Sequence, residues 1–268
     1  MSILEGPTTR DWPVPPSGCE VYGQFVLISF DPVASVAGLK DEIATKTAAA
    51  LPRLKWLAFI ATTAGLGMAF NADGQYKLSL HFYLLGRGLP SDGFPSLCIP
   101  ISPSDDSHPL NRAPIVPSTP LPWTNFNIHT LYNVFAVVSR IHFDPTKSAP
   151  FVVRAQREEI MLQYMEDNDE ATDQIAAGAQ HTMNVPTVVE ENIGIAQFRG
   201  NAIYTSDLSS RSDDSSDDHD DEQIAEAYGR LSDIRICVEM WTDLDTCPDP
   251  DTLALPHEFY PSLEVLQE

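Results

Sequence analysis

Apolar residues recur along the chain with two periods, and these place the elements. Residues 20–30, EVYGQFVLISF, are rich in β-branched and aromatic types. Both alternating sets are largely apolar, which predicts a central strand buried on both faces. Asp31-Pro32 follows, pairing a good helix cap with a residue suited to the first helical turn. Val36, Leu39, Ile43, Thr47 and Ala50 then recur at three- and four-residue spacing, which predicts a helix over 33–51 stopped by Pro52. Residues 54–61, LKWLAFIA, read as a second buried strand. Asp73-Gly74 is a hairpin signal. In the strand after it, Tyr76, Leu78, Leu80, Phe82 and Leu84 share one face, and Lys77, Ser79, His81 and Tyr83 share the other. This β-α-β-β opening predicts an α+β fold: an open mixed or antiparallel sheet with helices packed on one face.

Beyond residue 88 the pattern changes. Nine of the 22 prolines fall between Pro90 and Pro122, marking a long Pro-rich loop over 88–125. Within it the short run SLCIPIS predicts an edge strand, since Pro100 cannot donate to a ladder. Ile128, Leu131, Tyr132, Phe135 and Val138 predict a helix beginning near Asn125. A short strand is expected at 151–153. A helix is expected over about 155–178, with Ile160, Met161, Tyr164 and Met165 inward and the acidic stretch Glu166–Asp173 open to a loop reading. VVEENIGIAQF and NAIYTS suggest two strands, and 222–231 a short helix. IRICVEMW predicts a late strand. Of the C-terminal EFYPSLEVLQE, folding back onto the core is the favoured reading over a free docking peptide.

The domain reading is an extended lead-in over 1–18, a core over 19–205, an acidic low-complexity insertion over 206–223, and a final helix, strand and acidic tail over 224–268. The insertion contains Asp213, Asp214, Asp217, Asp218, Asp220, Asp221 and Glu222 in one run with no apolar residue. Because a strong strand follows, it reads as an insertion within a domain rather than a linker.

Charge sharpens this picture. There are 38 acids and 16 Lys/Arg, a net of −22, and residues 135–268 hold 28 of the acids, for a net of −20. Such a surface repels phosphates, so direct binding to nucleic acid or an anionic membrane is not expected, whereas basic proteins are attracted. The 16-residue apolar stretch from Trp56 to Asn71 is shorter than a spanning helix needs and reads as core. The first twelve residues have no basic region followed by an apolar one, so no secretory signal is expected. Cys19, Cys98, Cys237 and Cys247 are scattered without a C-x-x-C. Free thiols in a reducing compartment are expected, cytoplasmic or nuclear, with a Cys237–Cys247 disulfide the less favoured arrangement.

Candidate chemistry is sparse. No phosphate loop, nucleophile elbow, H-E-x-x-H or EF-hand loop occurs, and no cofactor is implied. The acidic run reads as a solvated loop, as a docking segment for a basic partner of histone or ribosomal type, or as a phosphorylated segment, with Ser210 and Ser215 each followed by an acid three residues on. Asp243-x-Asp245 and Asp249-x-Asp251 gather four carboxylates, but without the glycine a compact cation loop needs they read as a surface loop, and no metal site is assigned. His81, on the more polar strand face, is the histidine that could serve a site, roofed by the 88–125 loop. Cys98 and Cys19 lack a basic neighbour in sequence. Two functions are therefore expected as alternatives. One is a non-enzymatic, chaperone-like adaptor whose acidic half engages a basic protein. The other is an enzyme with a small-molecule site near His81. A homo-oligomer built on the apolar hairpin face is a third.

Overall fold

The computed structural model describes residues 1–8, 11, 21–63, 77–91, 94–104, 107–176 and 235–267. The expected α+β architecture is present, built on a mixed sheet that has seven strands among the described residues. The strands are β1 (Ser2–Glu5), β2 (Phe25–Phe30), β3 (Lys55–Thr63), β4 (Ser79–Arg87), β5 (Cys98–Pro100), β6 (Phe126–Phe143) and β7 (Cys237–Trp241). The helices are α1 (Pro32–Val36), α2 (Glu42–Ala49), α3 (Arg154–Ala176) and α4 (Phe259–Gln267). The Asp73-Gly74 turn, the strand readings at 188–198 and 201–206, the 222–231 helix and the whole acidic run lie outside the described residues.

β2, β3, β4 and β6 pair in succession, each antiparallel to the next, and β7 pairs antiparallel with β2. β7 also pairs with β6 in parallel, Val137 opposite Cys237 and Ile141 opposite Met240. The pairings therefore run in a closed ring rather than an open sheet. Register shifts at Ile60/Thr62, Tyr83/Leu85 and Val138/Arg140 supply the extra bend that closure requires. β1 and β5 extend the sheet along β6.

The ring explains the strand patterns. All six residues of β2 are buried. Val26, Ile28 and Phe30 point inward with Trp56, Phe82, Leu84, Val134 and Met240. Phe25 and Leu27 point outward into a second layer with Leu57, Phe59, Tyr83, Ile99 and Ile128. A strand covered on both sides has no polar face to show, hence its continuous apolar run. The C-terminal segment folds back as expected: α4 packs Phe259, Tyr260 and Leu263 against the inner residues. Phe259 meets Trp56 edge-on at 5.0 Å, and Tyr260 Oη donates to the Asn133 carbonyl at 2.7 Å.

Three expectations are corrected. The helix predicted near Asn125 is the 18-residue β6. Its even positions from Thr130 to Val138 are buried, a two-residue repeat, and a four-residue spacing satisfies both periods. The single helix over 33–51 is two short ones. Lys40 adopts a left-handed φ of 53°, and Asp41 recaps the chain by accepting from Ile43 and Ala44 amides. Ile43, expected inward, is 78% exposed. Finally, α3 runs straight through its acidic stretch, and its buried positions are Ile160, Asp167 and Ala171, while Met165 is exposed.

Closure is reinforced by short polar groups. Asp31 caps α1 through the Ala34 amide and accepts from Ser139 Oγ on β6 at 2.8 Å. Ser35 Oγ accepts from the Cys237 amide at 2.9 Å, and the Asp31 amide donates to the Cys237 carbonyl at 2.8 Å. Phe259→Ala, which removes the ring against Trp56, is expected to cost about 3–5 kcal/mol in urea unfolding with wild-type folding topology retained.

Candidate functional site

The β7 strand brings together side chains from five strands on the outer face. Register places Lys55 of β3 opposite Ser29 of β2, Ser29 opposite Glu239 of β7, Glu239 beside Arg140 of β6, and Arg140 opposite Glu5 of β1. Side chains opposite one another in a ladder lie on the same face, so these form one cross-strand row. The next row outward contains Trp241 and His142.

Glu239 is the centre of the row. Its carboxylate is almost fully buried, and three cationic or protonatable groups reach it. Arg53 Nη1 donates to Oε1 at 2.6 Å, Arg140 Nη1 donates to Oε1 at 3.1 Å, and His142 Nε2 lies 2.9 Å from Oε2. Burial alone would push the acid up. His142, Arg140 and Arg53 together outweigh burial and hold it below the usual glutamate value. The His142 ring stacks on Trp241 at 4.5 Å, and Lys55 Nζ sits 4.3 Å above the same indole. Ser29 Oγ, in the middle of the row, is buried without a hydrogen-bond partner among the described residues.

His81 has a different environment from the one expected. It lies on the outer face of β4, but α3 covers it, not the 88–125 loop. Phe135 stacks on the ring at 4.0 Å, Tyr83 and Tyr164 meet it edge-on, and Nε2 bonds Asn133 Oδ1 at 3.0 Å. Burial pushes the imidazole down to about 4, against a small opposing effect of Asn133, so the ring is neutral at pH 7. The polar strand face read in the sequence is thus a buried one.

The Pro-rich loop packs instead beside β5 and α3. Arg112 donates from Nη1 to the Cys98 carbonyl and to Asp167 Oδ2, both at 2.8 Å, and from Nη2 to Asp167 Oδ1. Thr130 Oγ1 lies 2.6 Å from Asp167 Oδ2 and 2.9 Å from the Leu97 carbonyl, and its one proton serves one of them at a time. Asp167 was concealed in the sequence by its acidic neighbours. Its helical spacing from Ile160 and Ala171, seven and four residues, is the signal that marks it as inward-facing.

Cys98 lies 3.5 Å from His108 Nε2, a distance suited to a nucleophile–base pair. The other contacts argue against that chemistry. His108 Nδ1 accepts from the Leu110 amide at 3.1 Å, so the proton of the neutral ring resides on Nε2 and points at sulfur. The ring then has no free lone pair for the thiol proton. Burial pushes Cys98 up to about 12, with Arg112 opposing, and pushes His108 down.

The remaining sequence candidates have structural roles. Cys237 and Cys247 are both buried free thiols, not a disulfide. Asp243 and Asp249 close 3-10 turns by accepting from the Asp245 and Asp251 amides. Lys147 bonds Asp243 and Asp245, and Arg87 bonds Asp251. Among the described residues no group of three or more His, Cys, Asp or Glu is placed to hold a metal ion, and no helix is long and apolar enough to cross a membrane. Asp213, Asp214, Asp217, Asp218, Asp220, Asp221, Glu222, Ser210 and Ser215 lie outside the described residues. Comparison of the chain with known protein families, curated proteins and solved structures finds no match.

His81 supplies a test of this environment. Its folded pKa lies below its unfolded value of about 6.5, so its contribution is complete above pH 6.5 and is lost as pH falls toward about 4. Relative to His81→Gln, the wild type should lose about 3 kcal/mol between those limits in denaturant titrations. Parallel pH profiles would show the imidazole accessible and unperturbed.

Proposed function

We propose that this protein is a non-enzymatic binding or adaptor protein whose acidic C-terminal half engages a basic protein. The observation that carries this reading is the placement of charge: residues 135–268 hold a net of −20 out of −22. The described part of that half supports it. On α3, Glu158, Glu159, Glu166, Asp169, Glu170 and Asp173 are exposed, and Leu162 and Met165 stand exposed among them. Such a surface offers a Lys/Arg-rich protein salt-sensitive attraction and some apolar contact.

In this reading the run from Asp213 to Glu222 supplies further carboxylates with little geometric demand. Phosphorylation at Ser210 or Ser215 would strengthen it by up to about two charges each. The partner is of histone or ribosomal type, which places the protein in the cytoplasm or nucleus and gives it a chaperone-like role. The second reading is an enzyme with a site at the His81 face. It draws on the neutral imidazole, but α3 would have to move for a substrate to reach that ring.

Core histones are a direct probe. Their affinity for the wild type should fall steeply with salt. Replacing Asp213, Asp214, Asp217, Asp218, Asp220, Asp221 and Glu222 with Asn or Gln should weaken binding at least about tenfold at low salt and flatten that slope. Unchanged affinity and slope would overturn the reading.

A further inference from the structure

We propose that the row around Glu239 is an oxyanion-binding site for a phosphoryl group, held by Arg53, Arg140, Lys55 and Ser29. This does not rest on the acidic-half reading, since it concerns a locally basic spot on an otherwise acidic protein.

Charge comes first. The row itself holds three cations, Arg53, Lys55 and Arg140, against two carboxylates, Glu239 and the exposed Glu5. The neighbouring acids Asp243 and Asp245 share Lys147, which offsets one of their two charges. Glu239 does not cancel the patch but organises it. A single oxygen, Oε1, accepts from both Arg53 and Arg140, which holds two guanidinium groups side by side. Bringing like charges together in this way is unfavourable unless anions neutralise both, and one carboxylate does so only in part.

Donor capacity comes next. A guanidinium has five N–H groups in a planar fork suited to phosphate. Arg53 uses one nitrogen on Glu239, and its side chain is 52% exposed. Arg140 uses Nη1 on Glu239 and Nε toward Glu5. Lys55 rests over Trp241 and makes no hydrogen bond to a carboxylate among the described residues. Ser29 sits between Lys55 and Glu239 in the row, is 3% exposed, and its hydroxyl has no hydrogen-bond partner among the described residues. A buried hydroxyl is normally hydrogen-bonded, so its isolation calls for a missing partner. In the proposed site that partner is the oxyanion held by Arg53 and Lys55.

The repulsion expected from a net charge of −22 acts at long range and is screened within about 8 Å at physiological salt. Contact donors then decide affinity. The prediction is a specific small-anion site that tolerates a phosphoryl group and not a polyanionic strand.

The experiment titrates inorganic phosphate into the full chain at constant ionic strength, with chloride as the balancing salt. The readout is the NMR shift of the Trp241 indole N–H and the Arg53 Nε–H. The wild type should show saturable shifts. Arg53→Ala should weaken binding at least about tenfold, because Glu239 keeps Arg140 and His142 and the fold is retained. Ser29→Ala should weaken it about threefold or more without lowering the unfolding temperature, since it removes an unpaired buried group. A phosphoserine peptide in a second arm separates sources. Tighter binding than phosphate assigns the site to phosphorylated protein, and equal or weaker binding assigns it to a free phosphate. Linear shifts that chloride reproduces, or an Arg53→Ala protein that binds as the wild type does, would overturn the proposal.

Discussion

The parallel pairing of β6 with β7 is the contact on which the other features depend. Without it the sheet ends at β7 on one side and β6 on the other, and two sets of backbone groups face solvent. With it, five strands enclose the inner residues and α4 covers them. The start of α1 braces the junction from one end, Asp31 accepting from Ser139 of β6 and Ser35 from the Cys237 amide of β7. The bulge at Val138/Arg140 sits at the same place, where β6 must change direction to reach β7.

Closure also creates the outer chemistry. Glu239 lies between Ser29 and Arg140 only because β7 touches both β2 and β6. The ionic row is therefore a product of topology, and its members come from residues 5, 29, 53, 55, 140 and 239. The outer layer over β4 follows another logic. There α3 and the Pro-rich loop are joined by Arg112 and Asp167, and burial leaves His81 and Cys98 neutral. Groups that would be reactive in a cleft are structural when covered and bonded in this way.

Much of the fold was legible in the sequence, and the failures have physical causes. β2, β3 and β7 are marked by β-branched and aromatic runs, and the apolar residues at the C-terminus mark the fold-back of that segment but not its helix. β6 has a helical signature in sequence because Ile128, Tyr132 and Val138 fit a helical stripe as well as an alternating one. Residues of high strand propensity, such as Val134, Val137 and Val138, were the better guide. The break at Lys40 was hidden because a left-handed lysine has no strong sequence signature, though Gly38 and Asp41 flank it. The Glu239 row was not legible at all. Cross-strand neighbours are set by register between distant segments, and a lone glutamate in a late strand does not announce two arginines more than 90 residues away. Of the site residues chosen from sequence, the seven acids of the 213–222 run and Ser210 and Ser215 rest on composition, whereas His81 lies on the strand face that alternation assigns it, under α3 and not under the 88–125 loop.

Interstrand nuclear Overhauser effects across β6 and β7 test ring closure most directly. The structure predicts backbone contacts of a parallel ladder between Val137 and Cys237 and between Ile141 and Met240, with the Val137 amide protected by its bond to the Ile236 carbonyl. If those contacts are absent and Val137 exchanges freely while β2 and β3 stay protected, the sheet is open, and both the filled interior and the Glu239 row lose their basis.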